Sequence, residues 1–314
     1  MAQGEFEGQV AMKKTIPENS AQPLAWASLD SDPSHAFYMC EFHDLEDHTA
    51  RLYRSAESDV PGSPPKLLDR GTLKQAHLNI EKPSPSVVVS ILAKLHRNSI
   101  SPTGKFGFPV PTYKGYAPMN NEWCNRWEDW FARQFRMDVQ FEQSVRGPDP
   151  EMDRLLDTFV EKVVPRLLRP LQTRGRSIKP SLVHTDIWHG NIHRDRATQE
   201  PIVFDACCVY GHHESESSLK ARYSLNKVGL TLWVVELGMF REQQYGWGPE
   251  YLQEYLDEIP PSEPREDFDD RNAIYAMCVF VANHYNRRVL TISIRRNYIV
   301  TAGLWEHRAY LREL

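Results

Sequence analysis

The sequence has no apolar run approaching the roughly 18 residues that a membrane-spanning helix needs. Its most apolar stretch, Leu230 to Phe240, is interrupted by Glu236. Basic charge is not in excess: 37 Lys and Arg stand against 42 Asp and Glu, for a formal net charge of −5. A nucleic-acid binder needs a basic surface to displace counterions from phosphate, and the composition argues against that class. Cysteine is scarce and odd in number, five in all, with no C-x-x-C pair. This pattern predicts reduced, unpaired thiols rather than a disulfide framework. The opening residues, Met1-Ala2-Gln3-Gly4-Glu5, are polar and acidic rather than a charged-then-apolar leader. No internal repeat is present. Together these absences predict a soluble, cytoplasmic, mildly acidic protein with no nucleic-acid or membrane partner.

What remains is ordinary in bulk. The chain has 314 residues and 36.4 kDa, is 41% hydrophobic and 25% charged, and has a mean hydropathy of −0.54. That length suits about two domains or one two-lobed domain.

Patterning divides the chain. Gly4 to Lys14 reads as a short helix, with Phe6, Val10 and Met12 on its apolar side and Pro17 ending it. Leu24–Trp26 and Ala36–Phe42 read as two strands around the turn Asp30-Ser31-Asp32-Pro33. Residues 46–83 are charged and proline-rich without periodicity, the signature of a long insertion. Ser84 and Pro85 then open a helix whose stripe is Val88, Ile91, Leu92 and Leu95. Trp123, Trp127, Trp130, Phe131 and Phe135 recur at helical spacing as a core face. Asp149-Pro150 begins the most regular helix, with Pro165 predicted to kink its last turns. Ser181–His184 and Pro201–Asp205 read as short strands bracketing a polar loop, and the sequence from Leu219 reads as mainly helical, with a helix over Asp267–Ala282.

That loop carries the chemistry. His184-Thr185-Asp186-Ile187-Trp188-His189-Gly190-Asn191 has the form H-x-D-x-x-x-x-N, and Asp205 follows at the end of an apolar strand. This is the spacing of a kinase catalytic loop and its metal-binding aspartate. Phosphoryl transfer needs a carboxylate to take the attacking hydroxyl's proton, which suits Asp186 as catalytic residue. It also needs hard oxygen ligands for magnesium, which suits Asn191 and Asp205. His189 and His193 stand four apart, as zinc ligands on a helix do. The intervening Gly190-Asn191 and the loop context read instead as surface or supporting histidines.

At these residues the sequence resembles the fructosamine/ketosamine-3-kinases, fungal ribulosamine-3-kinase-like members in particular, relatives of the aminoglycoside phosphotransferases. The resemblance rests on the catalytic loop, on Val203-Phe204-Asp205-Ala206 and on Tyr210-Gly211-His212-His213-Glu214. It extends to Phe6-Glu7-Gly8, Glu41-Phe42-His43-Asp44-Leu45, Gly104–Phe108 and Asp267–Asn272. It implies an α+β, protein-kinase-like fold: residues 1–43 as a partly stranded N-lobe remnant with the hinge, and 44–314 as a mainly helical C-lobe with insertions near 46–83 and 228–244.

The resemblance further implies ATP and Mg²⁺ as cofactors, Glu41, Phe42 and His43 as the adenine-facing hinge, Trp188 against the sugar, and His184 in support. The implied reaction is phosphorylation of the 3-hydroxyl of a ketosamine, on a small amine or a glycated protein, and hence deglycation. The family's glycine loop and lysine-bearing strand have no counterpart in this sequence, and its F-E-G-E motif becomes Phe6-Glu7-Gly8-Gln9. A kinase-like binding protein without phosphotransfer is therefore the alternative reading.

Overall fold

A computed structural model describes residues 1–46, 83–187, 190–217 and 249–275. Helix α1 (Ala2–Thr15) packs on the antiparallel hairpin of β1 (Pro23–Leu29) and β2 (Asp32–Cys40), in which Trp26 faces Tyr38 and Ala27 faces Phe37. The turn falls where Asp30-Ser31-Asp32-Pro33 predicts it.

The buried side of α1 agrees with the expected one at Met12 but not at Val10. Gly4, Gly8, Gln9 and Met12 are buried, whereas Val10 is 39% exposed. Two glycines one turn apart let the helix backbone approach its neighbours closely. A Cβ on Gly4 would stand 2.2 Å from the Pro111 carbonyl oxygen, and one on Gly8 would touch Cys208 at 3.4 Å. An apolar count misses such a face because glycine contributes contact by having no side chain.

Helix α2 (Pro85–Asn98) begins where Ser84 and Pro85 predict, and it buries Val88, Ile91, Leu92 and Leu95. After two short strands, β3 (Tyr113–Lys114) and β4 (Ala117–Pro118), comes α3 (Trp127–Arg146). Trp123 precedes this helix and is only partly buried, while Trp127 and Trp130 stack 4.7 Å apart in the core. Each buried indole N–H is satisfied: Trp127 donates to the Tyr275 hydroxyl at 2.9 Å, and Trp130 to the Asn120 carbonyl at 2.8 Å.

Asp149 caps α4 (Pro150–Thr158) by accepting from the amides of Glu151 and Met152. In place of a simple kink, the chain passes through a π-helical turn, Phe159–Val163, into α5 (Val164–Leu168). Pro165 supplies no N–H for the preceding turn, and the wider turn accommodates that loss.

The strands read at 181–184 and 201–205 exist but do not pair with each other. β5 (Ser181–Val183) pairs antiparallel with β8 (Val209–Gly211), and β6 (Ile192–Arg194) pairs with β7 (Pro201–Val203). A three-residue strand has too little period to announce its partner. Helix α6 (Pro249–Glu258) packs on α2, and residues 268–275 are helical. The predicted insertions at 46–83 and 228–244, and the helix beyond residue 275, lie outside the described residues except at Glu46 and Pro83.

One core acid is incompletely satisfied. Asp138, on α3, is 1% exposed; one carboxylate oxygen accepts from Gln134 Nε2 at 2.8 Å and the other has no partner. Burial pushes its pKa up from 3.8 to about 7, against the opposing pull of Lys114 and the Gln134 hydrogen bond. Between those two values the native state holds a proton that the unfolded chain has released. Stability therefore falls as pH rises through that window, and the cost is fully present above it. In Asp138→Asn, the stability lost between pH 5 and pH 8 should shrink by on the order of 1–3 kcal/mol, measured by urea unfolding at the two pH values.

Candidate active site

The site forms where the β5 end, the β6–β7 hairpin and α1 converge. His184, fully buried, ends β5. Its Nδ1 accepts from the Asp186 amide at 3.2 Å, and its Nε2–H donates to the Phe204 carbonyl at 3.0 Å. An amide can only donate and a carbonyl only accept, so these two partners fix the proton on Nε2. The ring thus couples the loop carrying Asp186 to the strand end carrying Asp205.

Asn191 completes the loop. Its Nδ2 donates to the Asp186 carbonyl at 2.8 Å and to Asp186 Oδ2 at 3.2 Å. Both bonds use the amide nitrogen, leaving Oδ1 without a protein partner among the described residues. A second tie joins the Phe204 amide to the Asn191 carbonyl at 3.1 Å.

Two residues adopt left-handed backbone: Thr185 at φ 60° and Asp205 at φ 60°. At Thr185 this is the conformation that favours glycine, and the strain is offset by its hydroxyl, which donates to the Cys207 carbonyl at 2.6 Å. At Asp205 it turns an exposed carboxylate away from the β7 direction, and among the described residues that carboxylate forms no ion pair or hydrogen bond. Cys207, beside them, is a buried thiol pushed up to about 11, chiefly by burial, and is therefore protonated and unreactive near neutrality.

Glu5 of α1, unremarked in the sequence, lies within electrostatic reach of Asp205. Its carboxyl pKa is raised first by burial and next by the Asp205 charge. Gln9, at the expected acidic position one turn later, instead donates to Ser20 Oγ at 2.6 Å and to the Ala21 carbonyl at 3.1 Å. Lys13 is likewise committed to the Pro17 and Ser20 carbonyls. The missed signal was positional: Glu5 and Gln9 share one helix face.

The segment Glu41–His43 follows β2. The Glu41 amide donates to the Gln22 carbonyl at 2.8 Å, and the His43 carbonyl accepts from Leu45 at 3.0 Å. Among the described residues, the Glu41 carbonyl and the His43 amide have no partner, and Phe42 is 87% exposed. His43 Nδ1 meets Asp195 Oδ2 at 2.8 Å. The Thr198 amide, followed by His43, holds the Asp195 carboxyl below its ordinary range. This strap anchors the segment to the β6–β7 hairpin.

Trp188 and His189 lie outside the described residues. His193 Nδ1–H donates to the Glu46 carbonyl at 3.0 Å. Among the described residues, His212, His213 and Glu214 place potential ligand atoms within 4.8 Å of one another. Those groups are already engaged. His212 bonds the hydroxyls of Tyr275 and Ser262, each at 2.9 Å, and burial holds its pKa down at about 4. Glu214 binds buried Arg271 through both carboxylate oxygens, at 2.8 and 3.1 Å. The cluster therefore reads as a structural network.

Residues 77–225 match the fructosamine kinase family. Over 198 residues the chain is 28% identical to the ketosamine-3-kinase of Mus musculus, covering 62% of this chain and 53% of that protein. It is 27% identical over 197 residues to the chloroplastic protein-ribulosamine 3-kinase of Oryza sativa subsp. japonica, covering 62% and 47%. The matched region thus spans about half the length of these relatives. A crystal structure from Thermobifida fusca, assigned as a fructosamine-3-kinase, superposes with a TM-score of 0.54 at 15% identity, covering 97% of this chain and 80% of that one. At that identity the likeness shows the fold, which is α+β and protein-kinase-like as the sequence predicts.

His184→Phe would leave the Phe204 carbonyl and the Asp186 amide without their ring partner in a fully buried position. It should cost about 2–4 kcal/mol of stability in urea unfolding.

Proposed function

As a relative of the fructosamine and ketosamine kinases through residues 77–225, this chain is, we propose, an ATP-dependent phosphotransferase acting on the 3-hydroxyl of ketosamines. The observation that carries the reading is the convergence of the H-x-D-x-x-x-x-N loop and Asp205 through one histidine, with Asn191 held against Asp186.

In this reading Asp186 is the base. It accepts the acceptor hydroxyl's proton as the hydroxyl oxygen bonds to the terminal phosphorus of ATP and the bond to the bridging oxygen breaks, releasing ADP. Asn191 holds the Asp186 carboxylate in position while presenting Oδ1 outward. Asn191 Oδ1 and the Asp205 carboxylate are hard oxygens without protein partners among the described residues, a donor set that fits magnesium. Bound there, Mg²⁺ would neutralise charge on the phosphates.

The Glu41 carbonyl and His43 amide offer one acceptor and one donor, the complement of adenine's exocyclic amine and adjacent ring nitrogen. Trp188, two residues beyond Asp186, would stack on the sugar. The acceptor would be a ribulosamine- or fructosamine-type adduct on a small amine or a protein, and phosphorylating it would serve deglycation. The proposed location is the cytoplasm, and neither a nucleic acid nor a membrane is among the proposed partners; among the described residues no helix is long and apolar enough to cross a membrane.

One observation favours a second reading, a kinase-like binding protein that transfers no phosphate. Glu5 and Asp205 lie within electrostatic reach of each other, and among the described residues neither forms an ion pair with a cation.

Incubation with Mg·ATP and a ribulosamine decides between them. The phosphotransferase reading expects a phosphorylated product whose rate falls by about 10²–10⁴ in Asp186→Asn. Nucleotide binding without any Asp186-dependent product establishes the second reading.

A further inference from the structure

A small cavity lies beside the loop that carries Asp186; its lining is mainly apolar and aromatic, Trp127, Trp130 and Phe131 among it, with Lys114 of β3, Gln134 of α3 and Thr185 as polar members. Its open space of about 30 Å³ admits a group of carboxylate size but no second sugar ring. Lys114 is the cation of this cavity. It is half-buried, and among the described residues no hydrogen bond or ion pair engages its ammonium group.

The negative groups around Lys114 do not neutralise it. Asp138 lies beyond Gln134 and shares its field, but the two are not within ion-pair distance, and the Asp138 carboxyl titrates near neutrality. Gln134 is held in place: its Oε1 accepts from the Asn120 amide at 2.5 Å, and its Nε2 donates to Asp138. The cavity presents a fixed amide on one wall and, on another, an ammonium group with no hydrogen bond or ion pair among the described residues, next to the residue preceding Asp186.

We propose that Lys114 is a specificity-determining residue that binds an anionic substituent, a carboxylate, on the amine portion of the acceptor. This inference rests on the ketosamine-kinase reading and narrows it. An acceptor that presents its hydroxyl to Asp186 sits against Thr185, and its amine-side substituent enters the cavity. An anion there gains a charge-assisted hydrogen bond from a lysine that has no competing partner. A carboxylate-bearing adduct, such as one formed on a free amino acid, is then preferred over the same sugar on a neutral alkylamine.

The test compares N-ribulosyl-β-alanine with N-ribulosyl-propylamine, which differ by a carboxylate in place of a methyl group. With the full chain and Mg·ATP, kcat/KM should favour the carboxylate by about tenfold or more, mainly through KM. In Lys114→Met the preference should fall to about one, and Lys114→Arg should restore part of it. Equal kcat/KM for the two acceptors in the wild-type chain, or a preference that survives Lys114→Met, overturns the proposal while leaving the kinase reading intact. If neither acceptor is phosphorylated, the kinase reading fails. Calorimetric binding of N-ribulosyl-β-alanine then decides the matter separately: carboxylate-dependent binding that weakens at least about tenfold in Lys114→Met upholds the subsite, and its absence sinks it.

Discussion

The site depends on one buried imidazole. His184 has two ring nitrogens and two backbone partners of opposite character, the Asp186 amide and the Phe204 carbonyl. Both partners belong to segments that carry a candidate functional acid. A side chain with only one hydrogen-bonding atom could hold one segment but not both. The ring therefore acts as a spacer of fixed length and polarity between Asp186 and Asp205, the proposed base and the proposed metal ligand. Burial in a low-dielectric core makes loss of either bond expensive, so the geometry is held firmly.

Around this point the structure is tied by polar contacts whose partners lie far apart in sequence. His43 reaches Asp195, Asn19 reaches the Pro201 carbonyl at 2.9 Å, and Glu214 grips Arg271. Each joins one segment to an element distant in sequence. The close backbone approach of α1 through Gly4 and Gly8 performs a related task. It seats the helix against Pro111 and Cys208, which side chains on that face would prevent.

Legibility varied with the length over which a pattern repeats. The stripe of α2 and the capped start of α4 were readable because several turns of periodic apolar residues, with Ser84, Pro85, Asp149 and Pro150 at their starts, leave one solution. The turn between β1 and β2 was readable from Asp30 to Pro33. The three-residue strands were not, because β5 and β7 have no register signal that could reveal their partners. The buried side of α1 was misjudged in part for another reason: its contact is made by glycines, which hydrophobicity does not register. Asp186, Asn191 and Asp205 were legible as a candidate set because the proposed phosphoryl-transfer chemistry constrains both their types and their spacing. Glu5 and Lys114 were not, since each is one charged residue with no local motif.

The sequence by itself determined the residue types of the candidate catalytic loop, the family resemblance and the main helices, because these reside in local pattern and chemically constrained spacing. Tertiary structure alone decided which strands pair, which nitrogen of His184 carries the proton, that Thr185 adopts the left-handed conformation, and that Glu5 lies within electrostatic reach of Asp205. It also decided that Lys114 lies beside Thr185 with no hydrogen bond or ion pair to its ammonium group among the described residues. These properties arise from contacts between residues distant in the chain, where burial and geometry fix protonation and approach, and no local pattern encodes them.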